Sequence, residues 1–390
     1  LESEHYRLIY PSGVDSLARE YLYNFELTRD SVMASILSDP AKFTLVLHPY
    51  ALNHENALAL APDRVDLFTT PQLFTGTSDT HLRSSVLAQG RTIGQMQHYD
   101  QGIFKVLKYL GGEQTLGYNF TFRIKKWHLI GDAQHTASEL SKSGPARDPQ
   151  TLMYYRACAL DGDERKYEQW RYGSYRHYTP DRKSFGYVVQ TSMRYNAPEN
   201  HYEAHLIDDF VNKWYDTRIW TKAFKKYTGN TGRRNFNIGM RTLSSFWKHN
   251  LAQRGAPTPF THLTDSCRYY TEYHSPTPLS DGRVIALKEG YQHEGQLIEI
   301  SPDGTERRLR YFAPSNNVGR ITLLNDSTIV WSEIVPDCRW ELRDWSILRS
   351  MNLNSLHIRN LTHSTRLFSP AASPNGKMIA AVEYPLEGSA

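Results

Sequence analysis

Cysteine is scarce in this chain, and long apolar runs are missing. Three cysteines, Cys158, Cys267 and Cys338, stand among 390 residues. They are widely spaced and form no Cys-x-x-Cys pair, which argues against a structural zinc site and allows at most one disulfide. No stretch approaches the roughly 20 apolar residues of a membrane-spanning helix. Charge of one sign is missing too: 45 Lys and Arg against 41 Asp and Glu give a formal charge of +4. The basic residues are scattered, with short pairs such as Lys125-Lys126, Lys225-Lys226 and Arg233-Arg234. Scatter of this kind describes solvated faces rather than a nucleic-acid stripe. Two catalytic signatures are equally wanting. There is no Gly-x-Ser-x-Gly elbow and no phosphate-cradling loop; Gly111-Gly112 and Gly229-Asn230-Thr231-Gly232 read as turns.

What is present describes a folded protein. The chain is 39% hydrophobic and holds 25 Tyr and 8 Trp. Its length exceeds one ordinary core, so two or more domains are expected. Alternation predicts strands over 6–10 and 43–47, with one or two more inside 53–68. Apolar spacing at the helical period predicts helices over 15–34, 81–95, 102–110, 127–140, 152–160, 205–227 and 237–251. The first part is therefore a small sheet followed by a helical body.

The character changes around Pro257-Thr258-Pro259, and short strands punctuated by turns follow from Tyr269 onward. The unit from Ser280-Asp281-Gly282 to Leu287 is echoed by 324–331, about 45 residues on, and by Ser373-Pro374-Asn375-Gly376 to Val382, about 50 further. Asp303-Gly304 marks another tight turn, expected inside the first repeat. This period, with a turn feeding an alternating strand, marks β-propeller blades. Three partial blades do not close a ring, so the chain is expected to be the first part of a longer protein.

Several stretches together carry a resemblance. They are 56–71, ending Phe68-Thr69-Thr70-Pro71; Gln95 through Gln101-Gly102 with Leu107 to Gln114; Trp127-His128-Leu129-Ile130-Gly131-Asp132-Ala133; and Tyr172-Gly173-Ser174-Tyr175 with Phe185-Gly186-Tyr187. In order and spacing the chain resembles large cell-envelope proteins of Gram-negative bacteria. These join a gluzincin-type metallopeptidase domain to a TolB-like, WD40-like propeller. The resemblance implies an α+β, multidomain fold. Residues 1–255 would be the peptidase-like domain, and residues 256–390 the first blades of a propeller.

Such proteins carry a helix reading roughly Leu-Ala-x-His-Glu-x-Arg-His-x-x-Gln. Registered on Gln95 and Gln101-Gly102, the family arginine falls on Arg91. The first histidine then falls on Ala88, the glutamate on Gln89 and the second histidine on Thr92. A rival register on Leu87-Ala88 puts Gly90, Arg91 and Gly94 at those positions and breaks the downstream match. The third ligand, a glutamate before Gly-Asp-Ala, falls on Ile130. The chemistry explains why these exchanges matter. Two histidines four apart hold zinc on one helical face, and the adjacent glutamate deprotonates the metal-bound water. Ala88 offers no donor atom and Thr92 only a neutral hydroxyl. Gln89 takes up no proton at neutral pH, and Ile130 is apolar.

Other histidines, among them His48, His81, His98, His128, His135 and His177, are dispersed and read as surface or hydrogen-bonded core residues. His201 and His205 have the spacing of a helical zinc pair and are the weak alternative metal site. Glu203 between them lies about 200° round the helix, so the segment reads as a solvated first turn. The expectation is a non-catalytic protein without cofactor, acting in protein–protein interaction or assembly with other envelope proteins. It would sit in the periplasm or against the outer membrane, exported by a signal outside this chain. The alternatives are a metallopeptidase with an unrecognised site and a ligand-binding propeller.

Overall fold

The computed structural model describes residues 1–39, 41–52, 54–70, 81–142, 144–163, 165–174, 177–255, 258–312 and 318–386. Alternation along Tyr6–Ile9 (β1) and Phe43–His48 (β2) buries every second residue, so each strand presents one apolar face to the core. Ala57–Leu60 (β3) and Asp63–Phe68 (β4) complete a sheet of order β1-β2-β4-β3. The β1/β2 and β2/β4 pairs are parallel and β3/β4 is antiparallel. Between β1 and β2 runs helix α1, Asp15–Met33, a crossover whose Leu17, Ala18, Tyr21 and Phe25 line up at the helical period and are buried.

Ten more helices follow among the described residues: α2 (His81–Tyr99), α3 (Gly102–Gly111), α4 (Glu113–Arg123), α5 (Lys126–Leu140), α6 (Pro149–Asp161), α7 (Tyr167–Tyr172), α8 (Arg182–Asn196), α9 (Tyr202–Asn212), α10 (Ile219–Thr228) and α11 (Gly232–Arg254). One continuous apolar core draws on α2, α3 and α5 to α11 and joins them to the first sheet. The helix expected over 205–227 is two helices. Between them Asp216 accepts from the Arg218 backbone N–H, a local turn that competes with the helical ladder.

The rest of the chain is β. Thr271–Pro278 (β5), Val284–Gly290 (β6), His293–Ile300 (β7) and Glu306–Tyr311 (β8) form a four-stranded antiparallel meander. Thr322–Asn325 (β9), Thr328–Pro336 (β10), Asp344–Asn352 (β11) and Ile358–Asn360 (β12) form a second. Leu367–Ala372 (β13) and Ile379–Glu383 (β14) pair as a hairpin. The three repeated segments of the sequence occupy equivalent places, each being the turn between the first and second strands of its sheet. The Asp303-Gly304 turn joins β7 to β8 inside the first sheet. Gly282, Gly304 and Gly376 have φ of 87°, 84° and 65°, the left-handed region that these turns require. Ile285 and Leu297 of the first sheet and Ile329, Trp331 and Met351 of the second share one apolar cluster, so the two sheets pack face to face. The fold is therefore mixed α and β, and none of its described sheets closes on itself.

The β region is tied to the first sheet's loops. The buried Asp344 carboxylate accepts the Leu52 N–H at 2.9 Å, and Arg366 donates to the Thr70 hydroxyl at 3.2 Å. The Tyr384 hydroxyl donates to the Thr69 carbonyl at 2.8 Å, and Leu52, Ile334 and Phe368 cluster beside these bonds.

Candidate functional site

Helices α2 and α5 pack together and each shows two faces. One face is a polar brace. Arg91 and Asp132 are both fully buried and form an ion pair. Asp132 also accepts from Gln95 at 2.8 Å and from Arg194 at 2.8 Å. Arg91 donates further to the Val32 carbonyl and the Ser35 hydroxyl, which ties α2 to α1. Burial opposes the charge on Asp132. The guanidiniums of Arg91 and Arg194 outweigh it and hold the carboxyl well below the usual carboxylate range. Arg91, Gln95 and Asp132, three landmarks of the resemblance, thus meet in one buried network.

The other face borders a cleft of about 1780 Å³ between the helical body and the first β-meander. Ala88, Gln89 and Thr92 of α2 and Ile130 of α5 all line it. The rival positions turn away. Gly90 packs towards Val32, Gly94 against Met33, and Arg91 into the brace. Ala88, Gln89 and Thr92 thus share a cavity wall with Ile130, and Gly90, Arg91 and Gly94 do not line it. The Thr92 hydroxyl is engaged with the Ala88 carbonyl at 2.9 Å, an i−4 bond within its own helix. The four side chains supply a methyl, an amide, an engaged hydroxyl and a branched alkyl, none of which is an anionic or imidazole ligand.

The opposite wall comes from β5 to β7. There Glu272, His274 and Glu289 have ligand atoms within 4.8 Å of one another, and all three line the cleft. Glu272 lies directly across the strand pair from Glu289, and like charges so placed repel. His274 bridges them, 3.0 Å from Glu289 and 3.6 Å from Glu272. Its hydrogen bond to Glu289 raises the imidazole above its usual value against a lesser desolvation, and Glu272 adds to the rise. The Tyr270 hydroxyl also donates to Glu272. Donors of these types could hold a divalent cation once the imidazole proton is displaced. As placed, the His274 imidazole lies between the two carboxylates and bonds to Glu289. Reading the sequence for helical motifs missed this trio. Strand alternation puts residues 272 and 274 on one face, and the Asp281-Gly282 turn sets Glu289 opposite Glu272.

The remaining histidines take other places. His201 precedes α9 and His205 stacks on Tyr227, 3.8 Å from Glu199, on the side away from the core. The expectation of a solvated first turn is corrected at Glu203, which is buried, because α9 turns Tyr202, Glu203, Leu206 and Ile207 inward together. Glu203 meets buried His128 at 2.7 Å. The Gln190 amide donates to His128 Nδ1 at 2.6 Å, and Tyr202 donates to Gln190 Oε1 at 3.0 Å. That arrangement leaves Nε2, which faces Glu203, as the protonated nitrogen. His48 pairs with Asp66, His98 with Asp208 and His135 with Thr191, all outside the cleft. His81 opens α2, but its side chain lies outside the described residues, as does Tyr175. Cys158, Cys267 and Cys338 are free thiols. Comparison of the chain with protein-family models, with curated proteins and with solved structures gives no match to any of them.

Proposed function

We propose that the chain is a non-catalytic binding protein, built from a peptidase-like body and the first blades of a β-propeller, whose shared cleft holds a polypeptide without cutting it. One observation carries the reading: Ala88, Gln89, Thr92 and Ile130 come from two helices yet share one wall of the cleft. The residues that brace those helices from behind, Arg91, Gln95 and Asp132, stay joined in a buried network centred on the Asp132 carboxylate. A protein that keeps the frame of a groove while these four positions of its wall carry apolar and neutral groups is suited to binding. The β-meanders support the propeller half of the reading, with four strands in each of the first two and equivalent turns in all three. Such a protein fits an assembly or docking role among envelope proteins.

The test is incubation of the purified protein with a library of unstructured peptides, followed by mass spectrometry of the bound and free fractions. Intact peptides are expected in the bound fraction. Ala88→Trp, which fills the cleft wall, is expected to lower their retention about tenfold or more. Fragments whose formation stops on adding a chelator would overturn the reading.

A further inference from the structure

The α3–α4 hairpin exposes apolar side chains to an unusual degree. Tyr109 is 89% exposed, Leu110 75%, Phe122 71%, Tyr118 66% and Val106 51%. On α3 the apolar residues do not form one buried stripe. Ile103, Phe104 and Leu107 pack inward, with Phe104 stacked on Phe210 at 5.9 Å. Val106, Tyr109 and Leu110 continue the apolar arc outward. At about 100° per residue the arc spans roughly 220°, and the fold covers only its inner half. On α4, Tyr118 and Phe122 lie one turn apart with ring centroids 4.7 Å from each other, facing solvent. An uncovered apolar face of this kind marks an interaction surface rather than scattered single exposures.

The hairpin is also firmly based. Lys108 bonds Asp63 at 2.5 Å and Asp100 at 2.8 Å, and Arg123 is held by the Trp214 carbonyl. Trp220 donates to the Arg123 carbonyl at 2.9 Å, which fixes the end of α4. Charge favours one occupant. Between residues 101 and 126 stand Lys105, Lys108, Arg123, Lys125 and Lys126 against Glu113, and of these Lys108 is already paired with Asp63 and Asp100. Lys105 is exposed on α3 beside Tyr109 at the edge of the apolar arc. Apolar and tyrosine side chains flanked by lysines, on short helices, form the pattern that settles at the headgroup level of a bilayer. No described helix is long and apolar enough to cross a membrane, so the attachment is to the surface.

We propose that the α3–α4 hairpin seats the protein on an anionic phospholipid surface. Val106, Tyr109, Leu110, Tyr118 and Phe122 enter the interface, and Lys105 meets the headgroups. The experiment is co-sedimentation of the whole chain with vesicles of phosphatidylcholine, alone or mixed with phosphatidylglycerol. Binding is expected on the mixed vesicles and is expected to weaken as salt rises. The exposed-site double variant Leu110→Glu/Phe122→Glu is expected to keep the melting temperature of the parent and to bind about tenfold or more weakly. Absence of binding to mixed vesicles, or equal binding by the double variant, overturns the proposal. So does a dimer of the parent chain that the variant dissolves while vesicle binding is absent, because the face then serves a second copy. None of these readouts depends on peptide in the cleft, so this proposal and the binding role stand or fall separately.

Discussion

Arg91 shows how one residue can carry a fold while its neighbours shape a cleft. It sits between Gln89 and Thr92 in sequence, yet it turns away from them to meet Asp132. Removing one member of a buried ion group strands its partners, which costs far more than losing an exposed pair. Asp132→Ala would leave Arg91 without its carboxylate in the interior and Arg194 with that of Glu139 alone. It is expected to lower unfolding stability by about 3–5 kcal/mol in urea titrations near neutral pH. The sign with pH follows from a carboxyl depressed in the folded state. Its contribution is complete above the ordinary carboxylate pKa of about 3.9 and fades as pH falls towards the folded value. The stability gap between parent and variant is therefore expected to be level at neutral pH and to narrow only in strong acid. In the sequence, Arg91 and Asp132 stood out only as points of resemblance. Their contact joins helices 41 residues apart, and helical periodicity carries no information at that range.

Among the elements, α5 and α8 approach most closely where Gly131 meets Gly186. A Cβ on Gly131 would fall on the Gly186 backbone, and one on Gly186 would fall on the Trp127 carbonyl. Gly90 is different, since a Cβ there meets Val32 at 3.7 Å, an ordinary contact. The two sites therefore predict opposite signs for one chemical change. Gly90→Ala is expected to stabilise by up to about 1 kcal/mol through helix propensity. Gly131→Ala is expected to destabilise by about 1–3 kcal/mol, because backbone yields less readily than a side chain. Denaturant midpoints of the two variants check both signs. Glycine and β-branched residues also explain what was illegible here. The α4 sequence, Thr115 to Ile124, alternates aromatic and polar residues as a strand would. The α8 sequence places Gly186, Val188 and Val189 mid-helix, against propensity. α8 is a helix because its packing against α5 and α11 decides the outcome. By contrast α1 and α2 showed their period clearly, and α2 only outran its predicted end, reaching Tyr99.

For the whole molecule, the repeats were legible because a tight turn and the strand after it are local. The contacts that hold the β region against the body were not, since they join residues nearly 300 positions apart. The cleft arises from that docking, and its two walls come from opposite sides of it. Asp344 makes two of the ties. Its carboxylate accepts the Leu52 N–H and its own N–H donates to the Tyr50 carbonyl, both in a buried setting. Asp344→Ala would leave the Leu52 N–H without a partner, a loss of about 1–3 kcal/mol. That loss falls on the docking rather than on either core, because neither the helical core nor the cluster between the first two meanders contains Asp344. In calorimetry the variant is therefore expected to show an earlier unfolding step for one region, with the later step little changed. A single transition displaced as a unit would instead mean that the two regions unfold as one cooperative block, with docking too strong for this bond to uncouple. Peptide retention follows the same logic. Loosened docking parts the two walls, so Asp344→Ala is expected to weaken binding in the cleft without altering a residue that lines it.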